Sequence, residues 1–165
     1  MKKNPLLLAI AFMLMQGMAQ ANGISMQTAQ TIAVNFFKLN AHVQARDITA
    51  TLAFTQTESD GIVDFYVFNM APAKGFVIVA ANDNVQPVIA YSTEVTFNTN
   101  AAKCPLNDWI KGTSAKLHFA TVNNIPGNTA TAYKWTSYLN GQSPVNTKAT
   151  GIGPLCATTW NQEPY

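Results

Sequence analysis

The sequence predicts an α+β fold: an antiparallel sheet of about four strands flanked by two helices, with an extended C-terminal tail. Three observations carry this. Ala29, Ile32, Ala33, Phe36 and Phe37 recur at three- and four-residue steps, the stripe of a helix with 3.6 residues per turn. From Asp47 to Phe97 the apolar residues change to period two and to short runs of Val, Ile, Phe and Tyr broken by polar turns, which is the pattern of a strand meander. Past Pro105 a less regular helical stripe returns. Helix, meander and helix make one layered unit, with both helices expected on one face of the sheet.

Each element has a local reason. Ser25 is placed to cap the first helix, expected from about Met26 to Leu39. Its Phe36 and Phe37 belong to the face packed on the sheet. The turns Glu58-Ser-Asp-Gly61, Ala71-Pro-Ala-Lys-Gly75 and Ala81-Asn-Asp-Asn84 separate strands at about Thr49–Gln56, Ile62–Asn69, Gly75–Ala80 and Val88–Ser92, with a short fifth candidate at Glu94–Phe97. Pro105 suits the first turn of the second helix, where its missing N–H costs nothing. Leu106, Trp109, Ile110, Leu117 and Phe119 supply that helix's apolar face up to about Val122, and Gly112 weakens it. The expected core is Ile32, Phe36, Phe65, Val67, Phe76, Val77, Val79, Ile89 and Trp109. Residues 123–150 are rich in Asn, Thr, Gly and Pro and read as a linker, with Tyr133, Trp135 and Tyr138 as its sizeable anchors.

The N-terminus reads as a secretory signal over residues 1–21: Lys2 and Lys3, an apolar run from Leu6 to Met15, and a small-x-small cleavage site at Ala19-Gln-Ala21, with cleavage between Ala21 and Asn22. The run is short of the roughly 20 apolar residues that span a bilayer, so a secreted or periplasmic protein with no membrane attachment after signal removal is expected. The excess of basic over acidic residues comes from Lys2 and Lys3, and the chain after residue 21 is neutral overall. Only 11% of the chain is charged, which leaves no basic stripe for phosphates and excludes nucleic acid as an expected partner. In an exported protein Cys104 and Cys156 leave two readings open, one disulfide or two separate thiols.

Chemistry is sparse. A cysteine nucleophile needs an imidazole partner and an oxyanion-binding amide, and the available parts are Cys104, Cys156, His42 and His118. His118 reads as a helix-surface residue, and no catalytic residue is expected. The carboxylates Asp47, Glu58, Asp60, Asp64, Asp83, Glu94, Asp108 and Glu163 are scattered at turns and strand ends, the pattern of a solvated surface. Ala81-Asn-Asp-Asn84 lacks the glycine and the terminal glutamate of a calcium loop, so no metal and no cofactor are expected.

Two stretches carry a family resemblance. Gly151-Ile-Gly-Pro-Leu-Cys-Ala-Thr-Thr-Trp-Asn-Gln-Glu-Pro-Tyr165 resembles the first strand and turn of the mature peptidase in the streptopain family, secreted bacterial cysteine peptidases with a papain-like fold. Asp64-Phe-Tyr-Val-Phe-Asn-Met70, Lys74-Gly-Phe-Val-Ile-Val-Ala-Ala-Asn-Asp83 and Gln86-Pro-Val-Ile-Ala-Tyr-Ser92 resemble, in order and spacing, that family's propeptide, which also occurs as a free-standing inhibitor of the Spi type. The match covers roughly Ser25 to Trp109 and then Gly151 to Tyr165. It implies four parts: the signal peptide 1–21, a propeptide-like inhibitor domain 22–122, the linker 123–150, and a remnant of the peptidase N-terminus at 151–165.

The family's catalytic cysteine and histidine come later than the residues matched here. Neither cysteine of this chain sits in a Gly-Cys-x-Ala setting, so the resemblance implies that the chain is not an enzyme. It implies instead an inhibitor or propeptide whose partner is a streptopain-type cysteine peptidase. A loop just ahead of the second helix, about Asn98 to Asn107 with Cys104, Pro105 and Asn107, would enter the enzyme's active site. Two other readings are a truncated zymogen of a secreted cysteine peptidase and a surface structural or adhesion module.

Overall fold

The structure is a computed structural model that describes residues 23–41, 47–98 and 105–144. The first helix, α1 (Met26–Asn40), starts where Ser25 Oγ accepts a hydrogen bond from the Thr28 amide at 3.1 Å. All five stripe residues, from Ala29 to Phe37, are buried. Four strands follow: β1 (Thr49–Thr57), β2 (Val63–Ala71), β3 (Phe76–Ala80) and β4 (Val88–Ser92). They form an antiparallel sheet in the order β1-β2-β3-β4. The helices α2 (Pro105–Val122) and α3 (Thr129–Leu139) complete the described chain. The α+β fold expected from the sequence is therefore present, and Glu94–Phe97 is not a fifth strand.

The two central strands are apolar on both faces, so both faces are covered. On one, Phe68, Val77 and Val79 pack with Ile32, Phe36 and Phe37 of α1 and Trp135 of α3. On the other, Phe65, Val67 and Ile78 pack with Phe97 and with Ile110 of α2. The expectation of two helices on one face is thus corrected. The physical reason is in β3, where Phe76-Val-Ile-Val-Ala80 is a continuous apolar run, the signature of a strand buried on both sides.

Three β-bulges among the described residues tune which side chains face which layer. Between Leu52↔Phe68 and Phe54↔Val67 the extra residue Ala53 reverses the alternation of β1, moving Phe54 to the α2 side. Between Gln56↔Phe65 and Thr57↔Val63 the extra residue is Asp64. Between Ile78↔Ala90 and Val79↔Val88 it is Ile89. Gly75, which opens the Gly-Phe-Val-Ile-Val motif, has a steric reason: a Cβ there would stand 2.5 Å from the Phe37 ring and 2.6 Å from the Ser92 carbonyl oxygen. Any other residue would have to displace the Phe37 ring and the β4 backbone at Ser92.

Residues 123–150 are corrected too, since much of that span is α3. Asn128 caps it, accepting from the Thr131 amide at 2.8 Å, and Trp135 is buried with its indole N–H donated to the Val85 carbonyl at 2.8 Å. Asn35 of α1 donates to the Tyr138 carbonyl at 2.8 Å, tying the two helices together. Trp109, expected in the core, is 40% exposed instead. On α2 the sheet-facing residues are Ile110, Ser114, Leu117 and Thr121, and Trp109 lies off that line.

If α3 is integral to the domain, Trp135→Ala should lower unfolding free energy by about 3–5 kcal/mol, measured by denaturant titration. An unchanged midpoint would mean that residues 129–139 are an accessory to the fold.

Candidate functional site

The segment expected to act runs from Asn98 to Asn107, and its two flanks are fixed to the same face of the sheet. On the near side Phe97 is buried among Phe54, Phe76 and Ile110. Its backbone is gripped by Asn69 of β2: the Phe97 amide donates to Asn69 Oδ1 at 2.7 Å, and Asn69 Nδ2 donates to the Phe97 carbonyl at 3.0 Å. One asparagine amide, donor and acceptor, thus completes both backbone groups of a residue outside the sheet. Asn69 ends the Phe-Asn motif noted in the sequence, and this grip is a physical role for it.

On the far side the segment becomes α2. Pro105 opens the helix as expected, and Asn107, Asp108 and Trp109 are consecutively exposed in its first turn. Cys104 lies outside the described residues, as do Cys156, its candidate disulfide partner, and the Ala21–Asn22 cleavage site. Beyond Trp109 the helix is secured by Ile110 and Leu117 and by three polar ties. Asn82, buried in the turn after β3, donates to Thr121 Oγ1 at 3.0 Å. Ser114 and His118 form the other two.

These two side chains meet a group that sequence reasoning placed in solvent. Asp64 is 1% exposed, because as the extra residue of a bulge it escapes the strand's alternation and turns toward α2. Ser114 Oγ lies in hydrogen-bond contact with Asp64 Oδ2 and at 2.7 Å from Glu58 Oε1. His118 is not a free surface residue: its Nε2 is 3.3 Å from Asp60 Oδ2 and its Nδ1 is 3.3 Å from Asp64 Oδ1. The Nδ1–Oδ1 approach lacks the alignment of a hydrogen bond, so the attraction there is one of charge and dipole. Burial raises the Asp64 carboxyl above the usual aspartate range, while Ser114 and His118 pull it back and Glu58 adds to the rise.

Ser, His and Asp together invite comparison with a hydrolytic triad. In a triad the histidine accepts the serine proton. Here Ser114 Oγ engages two carboxyl groups instead of the imidazole and is almost wholly buried, so it lacks both the histidine base of a triad and access to a substrate. The described residues hold no group of three or more His, Cys, Asp or Glu side chains arranged for a metal ion. An open groove of about 430 Å³ between α1, β4 and α3 is lined by Phe36, Pro87, Tyr91 and Tyr138. Its lysine, Lys134, is engaged with Gln86 at 2.9 Å. The geometry offers a rigid support for a segment between two anchors rather than a reaction centre.

Comparison with known proteins bears on that arrangement. A family described as Spi protease inhibitor matches residues 21–117, from ahead of α1 through the sheet and the Asn98–Asn107 segment into α2. The chain belongs to the Spi protease inhibitor family. The family is an inhibitory domain, not a catalytic one, and this chain is accordingly an inhibitor domain and not an enzyme. A protease is the partner that membership implies. The match ends at Leu117, so α3 and its buried Trp135 lie beyond the shared span. No curated protein and no solved structure matches the chain.

Within this Spi-family scaffold Asn69 has a role that can be isolated. Asn69→Ala removes both of its bonds and leaves the Phe97 amide and carbonyl unpaired beside the core, which should cost about 1–3 kcal/mol. It should also speed Phe97 amide exchange more than exchange at Phe68, and equal acceleration at both positions would contradict the local role.

Proposed function

We propose that this Spi-family chain is an exported inhibitor or propeptide of a streptopain-type cysteine peptidase, secreted or periplasmic after cleavage between Ala21 and Asn22. In this reading the Asn98–Asn107 segment, with Cys104, Pro105 and Asn107, enters the active-site cleft. The observation that carries the proposal is the double anchorage: Phe97 held by Asn69 on one side, α2 held by Ile110, Ser114 and Leu117 on the other. A protease inhibitor must offer a segment that is held in place before binding, because ordering it on contact would consume affinity. The resemblance of residues 151–165 to the start of a mature peptidase favours the propeptide form, in which the domain precedes its own enzyme.

Trp109 strengthens the reading. It stands exposed close to Asn107 at the start of α2, and a large aromatic beside an inserted segment is the usual kind of binding hot spot. Because its side chain is not part of the core, its removal should separate binding from folding.

The test is titration of the purified protein against streptopain-type peptidases. Reversible inhibition with no proteolysis by the chain itself is expected. Trp109→Ala should weaken it by about 2 kcal/mol, roughly thirtyfold, with an unchanged melting temperature, and Asn107→Ala should weaken it as well. If a panel of such enzymes is unaffected at micromolar inhibitor, binding is weaker than about −8 kcal/mol, and the adhesion-module or truncated-precursor reading moves ahead.

A further inference from the structure

The buried cluster between α2 and the β1–β2 hairpin is one hydrogen short of a full set of hydrogen bonds when its carboxyl groups are ionised. Asp64 Oδ2, Ser114 Oγ and Glu58 Oε1 are joined by two hydrogen-bond contacts, both made by the serine oxygen. A serine hydroxyl has one hydrogen and can donate once. With both carboxyl groups ionised, the one hydroxyl hydrogen must serve two acceptors. A second hydrogen, on a carboxyl that donates to Ser114 Oγ, makes each contact a full hydrogen bond. Glu58 is only part-buried, at the rim of the cluster, whereas Asp64 is fully buried, so the hydrogen belongs on Asp64. The chain of bonds then runs from the Asp64 acid to Ser114 Oγ, and from the Ser114 hydroxyl to the Glu58 carboxylate.

We infer that Asp64 carries a proton that latches α2 onto the hairpin, so that α2 loosens when this proton is lost. Of the influences on Asp64, burial leads and with Glu58 favours the acid form, while Ser114 and His118 oppose it without cancelling the rise. From the hairpin come Glu58 and, through the imidazole, Asp60; from α2 come Ser114 and His118; β3 carries no titratable residue. Loss of the proton would place the buried Asp64 charge near Glu58 and leave the one hydroxyl hydrogen to serve two acceptors. A groove of about 370 Å³ lined by Glu58, His118, Phe119 and Val122 gives water a route to the rim of the cluster.

The direction of linkage is set by the Asp64 carboxyl being raised by burial. An acid raised in the folded state contributes stability that is complete below its unfolded pKa and disappears as pH rises through the folded one. The latch is therefore closed toward acid and opens toward neutral. Its bearing on inhibition rests on the proposed function, since only there does the segment ahead of α2 enter an enzyme.

The experiment uses the whole protein and two readouts across the acid-to-neutral range. Amide exchange of residues 110–121, corrected for its intrinsic pH dependence, should show protection falling about tenfold for each unit by which the Asp64 carboxyl is raised. Asp64→Asn has an uncharged amide that donates to Ser114 as the acid does, and should flatten the profile. In case that variant folds poorly, the wild-type Asp64 carboxyl carbon followed by NMR should still report the acid form where an unfolded-chain aspartate is ionised. Protection independent of pH, or an Asp64 signal ionised throughout, overturns the latch whatever the protein inhibits. Protection that tracks pH with no inhibition of streptopain-type peptidases at any pH sustains the latch and overturns the proposed streptopain-type target.

Discussion

The rest of the structure depends on a sheet whose central strands are apolar on both faces. Phe65, Val67 and Ile78 face one way while Phe68, Val77 and Val79 face the other, so neither surface can be left to water. The burial of several large side chains on each face, at about 1.5–3 kcal/mol apiece, outweighs what any single polar contact contributes. It dictates that one layer of helix lies on each side. The side formed by α1 and α3 is the fuller, with Phe36, Phe37 and Trp135 supplying large rings, and it fixes the domain. The α2 side is thinner and more polar, and it is the side that carries the candidate inhibitory segment.

That asymmetry explains why asparagine, serine and aspartate recur at the α2 interface. Ile110 and Leu117 alone make a narrow apolar contact, one that would tolerate rotation of the helix. Hydrogen bonds are directional, and those from Asn82 to Thr121, from Ser114 to Glu58, and from Asn69 to Phe97 fix the helix and Phe97. A helix anchored by polar groups can also be released by changing their protonation, which a purely apolar interface does not permit. The bulge at Asp64 makes this concrete, since one extra residue turns a carboxyl from a strand start into the helix interface.

Much of this was legible in the sequence, for identifiable reasons. The Ala29-to-Phe37 stripe and the Ser25 cap are short-range patterns, and they define α1 without knowledge of the rest. The strands are marked by period two and by their turns. The features that escaped depend on partners distant in the chain. α3 escaped because its buried positions include Thr131 and Ser137, which carry no apolar signal, although Asn128 was a readable cap. Trp109 looked like core because of its size, yet α2 turns a different line of residues to the sheet. Asp64 looked like solvent because a bulge leaves no mark in the order of residues. Of the candidate site, the helix start at Pro105 is a local pattern, while the grip of Asn69 on Phe97 required the fold to be seen.

The protein is proposed to meet its protease through the segment held between Phe97 and α2. The most direct measurement is hydrogen exchange of the whole protein with and without a streptopain-type peptidase whose active-site cysteine has been replaced. New protection should be confined to residues 98–109 and the outward side of α2, with the α1 and α3 face unchanged. Protection centred on α1, α3 and the edge of β4, with residues 98–109 exchanging as freely as before, would contradict that mode of binding.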